Sequence, residues 1–189
     1  MWLLRKLNKM ENNFKKTAWA EAKINKDFIC ITTFSGYGIC QMDPLGKENY
    51  SPPEVDDLTL GNMVLDALKH SRFVLPEPDH RKGIWVHPDA TYDADLYDYK
   101  KAEDRYSDWV KSVMKSYGYK TKRAMFNKMK NCSISLAGGV LKITPYRHIK
   151  LEMWEGREKD GIEDVIIPGD STPEEIGAAL RLAFSQCID

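Results

Sequence analysis

The 189-residue chain has no C-x-x-C pair, no glycine loop followed by a lysine and a hydroxyl, and no apolar run long enough to cross a bilayer. Each absence removes a class of function. The four cysteines, Cys30, Cys40, Cys132 and Cys187, lie far apart, which argues against zinc-ribbon spacing and a dense disulfide framework. The apolar opening "MWLLRKLNKM" is interrupted at once by Arg5 and Lys6, so it reads neither as a secretory signal nor as a membrane anchor. The cysteines are therefore expected as free thiols in a reducing cytoplasm, without metal. "SGYG" and "LAGG" supply glycines for turns, not a phosphate cradle. There is also no excess charge: 28 Lys and Arg oppose 28 Asp and Glu, so the bulk charge points to neither nucleic acid nor membrane.

What is present is a mixed, well-punctuated sequence. With 42% hydrophobic and 30% charged residues, it can bury one sizeable core and remain soluble. Charge is segregated along it. Seven basic residues and no acidic one lie between Lys111 and Lys130; nine acidic residues face five basic ones between Glu77 and Asp108; six acidic residues face only Lys47 between Asp43 and Asp66. Such blocks are either solvated faces or docking surfaces.

"KKTAWAEAKIN" and "DFICITTF" read as strands joined by a turn near Asn25 to Asp27. "SGYGICQMDPLGKENYSPPEVDD" is rich in Gly and Pro and reads as a long surface loop. Leu60, Val64, Leu65 and Leu68 mark a helix, with Asp57 or Thr59 as its cap. "GIWVH" suggests a short strand. From about Asp93 to Tyr117 the spacing predicts one long helix stopped by Gly118. "NCSISLAGGVLKITPYRHIKLEMWE" predicts a meander of about three strands, and "EDVIIPG" a fourth. The strongest local signal is "DSTPEEIGAALRLAFSQC". Thr172 is the N-cap, Pro173 opens the helix, and Glu175 completes a capping box. Ile176, Ala179, Leu180, Ala183, Phe184 and Cys187 form its apolar stripe, and Gly177 permits close approach. The order of elements gives an α+β fold: a single domain with a largely antiparallel sheet, a long central helix and a capped C-terminal helix.

Candidate chemistry is sparse. His80, His87, Asp89 and Asp93 are potential metal ligands, but their spacing matches no known site and the segment reads as a loop. Cys30 and Cys132 fall in apolar strands, where a thiol packs and stays inert. The basic run interleaves Tyr117, Tyr119 and Phe126, a mixture that nucleic-acid binders use, yet these aromatics also suit a core. Two classes remain: a protein-binding module, and a small hydrolase-like enzyme with an unrecognised site.

"DVIIPGDSTPEEIGAALRLAFSQCID", preceded by "KITPYRHIKLEMWEG" and "GIWVHPDATYDADLY", resembles the immunity proteins of bacterial contact-dependent growth inhibition systems, with the likeness running from about Phe28 to Cys187. The first 15 or so residues are less typical and form a variable start to the domain, 1–189. The resemblance implies a cytoplasmic protein without enzymatic activity or cofactor. Its partner would be the toxic C-terminal domain of an effector, bound as a heterodimer and blocked; a nuclease is expected, a ribonuclease by preference. No direct contact with nucleic acid or membrane is implied, and no catalytic residue is carried over.

A nuclease offers a basic cleft, so carboxylates are the natural docking residues. Charge pattern nominates Asp93, Asp95, Asp98, Glu103, Asp104 and Asp108 on the long helix, with Tyr92 and Tyr97 as aromatic anchors. Glu54, Asp56 and Asp57 in the Pro-rich segment form a second patch. The competing reading is that Lys100, Lys101 and Arg105 neutralise the helix and it faces water.

Overall fold

A computed structural model describes residues 15–78, 85–156 and 163–188. Its centre is a sheet of antiparallel strands. β1 (Thr17–Ile24) runs between β2 (Ile29–Tyr37) and β7 (Lys130–Ala137). β8 (Val140–Pro145) and then β11 (Val165–Pro168) extend it beyond β7. The far edge of β2 is shared by β3 (Ile39–Met42) and β4 (Glu48–Ser51), placed end to end. Two short pairs lie outside the main sheet: parallel β5 (Val74–Leu75) with β6 (Thr91–Tyr92), and antiparallel β9 (Arg147–Lys150) with β10 (Met153–Glu155).

Alternation sorts the strand residues onto two faces. Ala20, Ala22, Ile29, Ile31, Cys132, Ile134, Leu141 and Ile143 point to one side. There they meet α1 (Asp57–Lys69) and α5 (Pro173–Gln186) through Leu60, Val64, Ile176, Leu180 and Phe184. The two helices touch closely because neither has a side chain at the crossing. A Cβ on Gly61 would lie 1.7 Å from the Pro173 carbonyl oxygen, and one on Gly177 would lie 2.0 Å from that of Asp57. Gly177 does allow close approach, but to a helix rather than to the sheet.

Phe28 and Cys30 point to the other side. They pack against α3 (Tyr99–Ser116) and α4 (Lys122–Phe126) through Trp109, Val110, Val113, Met125 and Phe126, with Met129 and Trp154 beside them. The sheet is thus sandwiched between an aliphatic two-helix layer and an aromatic layer.

The capping box at Thr172 forms as expected: Glu175 N–H donates to its hydroxyl at 3.3 Å, and the Glu175 carboxylate accepts from Thr172 N–H at 2.8 Å. Gly118, at φ 71°, follows the end of α3. Gly138 and Gly139 both take positive φ, the backbone of a two-residue hairpin turn between β7 and β8.

Five details differ from the sequence reading. The Gly- and Pro-rich stretch holds β3 and β4, whose four-residue lengths are too short to show alternation. The helix predicted from Asp93 to Tyr117 is two: α2 (Ala94–Tyr97) and α3, broken at extended Asp98. Asp93 and Asp98 each accept from the N–H three residues on, at 3.2 and 2.8 Å, so each starts a helix instead of continuing one. "HIKLEMWE" is the β9–β10 hairpin with Leu151 and Glu152 at its turn, not one strand. The cap of α1 is Asp56, which accepts from Thr59 N–H and hydroxyl, both at 2.8 Å. In "GIWVH", Gly83 and Ile84 lie outside the described residues, and Trp85 to His87 form no strand. Among the described residues no helix is long and apolar enough to cross a membrane.

Candidate interaction surface

The nominated carboxylates fall on opposite sides of the sheet. Asp56 and Asp57 open α1, in the aliphatic layer; Asp93 to Asp108 belong to α2, α3 and their caps, in the aromatic layer. They cannot act as one patch.

Several have structural duties. Asp56 is a helix cap. Asp57 accepts from Arg181 Nε at 2.6 Å, and the same guanidinium donates to the Pro53 and Val55 carbonyls, tying α5 to the segment before α1. Asp93 caps α2 and pairs with Arg72 at 2.9 Å. Asp98 caps α3. Tyr97 donates to Val74 O at 2.6 Å, which fixes α2 to β5. Asp56 and Asp98 stay exposed while they cap; the other exposed residues of the nominated set are Glu54, Asp95, Glu103, Asp104, Asp108 and Tyr92. Asp95 pairs with Lys101 and Asp108 with Lys111, all four largely exposed and so weakly coupled. Glu103 and Asp104 have no ion-pair partner among the described residues. Arg105 does not neutralise these acids. It donates to the Asp95 and Leu96 carbonyls, closing the C-terminal end of α2.

Beside this face lies an open groove of about 450 Å³, between α3 and the β3–β4 turn, lined by Met42, Asp43, Glu48, Arg105, Asp108 and Trp109 among others. Glu48 and Asp108 are exposed on its walls. Asp43 is its buried anchor. Burial opposes the charge on Asp43, but hydrogen bonds from Arg72, Ser35 and the Leu45 N–H outweigh it and hold the carboxyl below its ordinary range. Arg72 grips both oxygens, at 2.6 and 2.9 Å. Asp43–Arg72–Asp93 thus locks the groove floor to the cap of α2. Two groove residues carry buried donors without an acceptor, Arg105 Nε and the indole N–H of Trp109. Trp109 itself is 4% exposed. The sequence reading missed this groove. Asp43 and Glu48 sit in what read as loop, and only the β3–β4 fold brings them to α3.

A second groove, about 340 Å³, has the opposite sign. Lys128, Lys130 and Arg181 line it with Phe184 and Ser185. Acidic and basic surfaces are therefore separate, although the net charge is zero.

The other nominated chemistry is dispersed. His80 lies outside the described residues. His87 accepts from Asp89 N–H at 3.1 Å and its ring meets Phe73 and Trp85, while Asp93 is held by Arg72. Among the described residues no three His, Cys, Asp or Glu side chains converge as metal ligands. Burial pushes the Cys30 thiol up, away from a nucleophilic thiolate. In the basic run, Tyr117 stacks on Phe28 at 4.6 Å and Phe126 is fully buried, so both serve the aromatic layer.

The model of the CDI immunity protein family matches residues 18–187. The chain is 54% identical over 176 residues to the immunity protein CdiI-YPIII of Yersinia pseudotuberculosis serotype O:3 (strain YPIII), covering 93% of this chain and 98% of that protein. Among solved structures it is similar to a chain of the CdiA-CT/CdiI toxin and immunity complex from Yersinia pseudotuberculosis, with a TM-score of 0.87 and 55% identity over 91% of this chain and 98% of that one. A Neisseria meningitidis protein of unknown function matches at a TM-score of 0.78 and 41% identity, over 93% and 98% of the two chains. Sequence and fold agree across nearly the whole length, and the chain belongs to the family of CDI immunity proteins.

Proposed function

We propose that this protein binds the toxic C-terminal domain of a contact-dependent growth inhibition effector, in the cytoplasm, and neutralises it by occupying its working surface. The observation that carries the reading is the family match over residues 18–187. That a similar chain occurs in a toxin and immunity complex supports a one-to-one partnership. The protein turns over no substrate. The acidic and the basic groove are both open and neither is lined by a catalytic constellation, which favours recognition over the hydrolase-like alternative.

The docking surface is the acidic face of α2 and α3 with its groove. Asp95, Glu103, Asp104 and Asp108 present exposed charge, Glu48 adds a carboxylate from β4, and Tyr92 supplies an exposed ring. Asp104 and Asp108 stand one helical turn apart on a rigid element. The toxin is a nuclease, a ribonuclease by preference, whose basic cleft meets these carboxylates. Asp93, Asp98 and Tyr97 contribute by fixing the shape of the face, and Glu54, Asp56 and Asp57 lie outside it.

The test is association kinetics between the purified protein and the C-terminal toxin domain of its cognate effector, measured across ionic strength. Charge-steered docking gives an on-rate that falls steeply with salt. The E103Q/D104N/D108N variant is expected to associate several-fold more slowly at low salt and to protect cells less. An unchanged on-rate and full protection would remove the acidic face as the docking surface. Nuclease assays on the free toxin domain decide its activity separately.

A further inference from the structure

Cys132 on β7 and Cys187 at the C-cap of α5 are free thiols whose Sγ atoms lie 3.6 Å apart, although 55 positions separate them in sequence. Cys132 is completely buried; Cys187 is half-buried, at the margin of the aliphatic core. Cys187 Sγ also lies 3.4 Å from the Asn131 carbonyl oxygen and 3.6 Å from that of Ala183, so its position is set from both the strand and the helix. Lys130, which donates to Phe184 O, places a positive charge nearby. Among the described residues, Cys30 and Cys40 have no second sulfur within hydrogen-bonding reach.

We propose that Cys187 is a hydroperoxide-reactive thiol and Cys132 its resolving partner, so that the pair forms a reversible disulfide fastening α5 to β7. The chemistry needs one oxidant, a hydroperoxide. The Cys187 thiolate attacks the terminal peroxide oxygen. An S–O bond forms, the O–O bond breaks, and the leaving oxygen takes a proton to depart as an alcohol, or as water from hydrogen peroxide. Cys187 is then a sulfenic acid. The Cys132 sulfur attacks the Cys187 sulfur; the S–S bond forms, the S–O bond breaks, and the hydroxide leaves as water with the Cys132 proton. Two thiols have lost two electrons and two protons to the peroxide.

The division of roles follows from the surroundings. The hydrogen bond from Cys132 draws the Cys187 thiol down to about 7, against its burial and with help from the Lys130 charge. Burial pushes Cys132 the other way. The more accessible sulfur is thus also the one that ionises near neutral pH, which is what a reactive cysteine requires. Burial raises the thiol of Cys40, the other half-buried cysteine, leaving it a poorer nucleophile.

The test treats the reduced full-length protein with a small excess of hydrogen peroxide, then maps peptides by mass spectrometry without reduction. The expected result is an intact mass lower by two hydrogens and one linked peptide pair, Cys132 with Cys187. Cys30 and Cys40 remain alkylatable, and dithiothreitol restores the starting mass. The thermal midpoint of the oxidised form should rise, because the bond closes a long loop. In Cys132→Ser the sulfenic acid has no resolving partner, so dimedone should label Cys187. Oxidation of Cys40 with Cys187 still alkylatable, or disulfides only between molecules, would overturn the proposal. The wild-type peptide map decides this even if the variant folds poorly.

Discussion

The two faces of the sheet are built from the same strands by different means. On the α1 and α5 face the core is aliphatic and continuous, and two glycines let the helices touch. On the α3 face the core is aromatic and sulfur-rich, and charge enters it. Lys23 is buried between Trp109 and Trp154, 5.4 and 5.5 Å from the two rings, and pairs with Glu21, which accepts from Asn131 Nδ2 at 3.1 Å. Dry packing gives one face its stability. Polar groups held in fixed networks give the other a shaped, charged exterior. A recognition protein needs both, and here they are assigned to opposite sides of one sheet.

That division can be broken or sharpened by substitution. The largest effect is expected from Phe184→Ala, which empties a site that is 4% exposed in the aliphatic core and should cost about 3–5 kcal/mol in equilibrium denaturation. Next is Gly61→Ala. Its Cβ would overlap the Pro173 carbonyl, so α1 and α5 must separate, at a cost of about 1–3 kcal/mol by the same measurement.

On the other face Asp43→Asn tests the anchor of the groove. Loss of hydrogen bonds to a charged partner should cost about 1.5–3 kcal/mol at neutral pH. The sign with pH follows from linkage. A carboxyl whose folded pKa is depressed stabilises the protein above its unfolded pKa, and that stability disappears as pH falls through the folded value. The penalty of Asp43→Asn should therefore shrink in acid, which urea titrations at neutral and acidic pH would reveal. The smallest change is expected from E103Q/D104N/D108N. These residues are exposed, so stability should move by less than about 0.5 kcal/mol while toxin association slows. A large loss of stability there would merge the two roles that the faces keep apart.

The sequence discloses best what is local. Thr172, Pro173 and Glu175 specify the start of α5 within four residues, and the stripe from Ile176 to Phe184 identifies its buried side. The antiparallel strands around Asn25 and Gly138 are equally plain, because turn chemistry marks them. What stays hidden depends on competition or distance. Asp98 could continue a helix or cap one, and spacing alone does not tell that its side chain binds the Lys101 N–H. Four-residue β3 and β4 owe their existence to pairing with β2, not to their own pattern. The acidic blocks are visible as blocks, but which of them face one another is decided by which side of the sheet each helix takes. The approach of Cys187 to Cys132 likewise has no sequence signature.

The place of β1 at the middle of the sheet has a consequence for assembly in time. One neighbour, β2, follows it directly; the other, β7, carries Asn131, 110 positions from its partner Glu21. Such pairing is slow to close, because chain entropy is lost before the contacts form. Synthesis at about 5–20 residues per second means that β1 and β2 wait on the order of ten seconds for the helix that will cover them. Until Ile176 to Phe184 emerge, the apolar side of the first hairpin has only α1 above it. The newly made chain is then a sticky intermediate rather than a protector, and a cell invaded by toxin depends on copies finished beforehand.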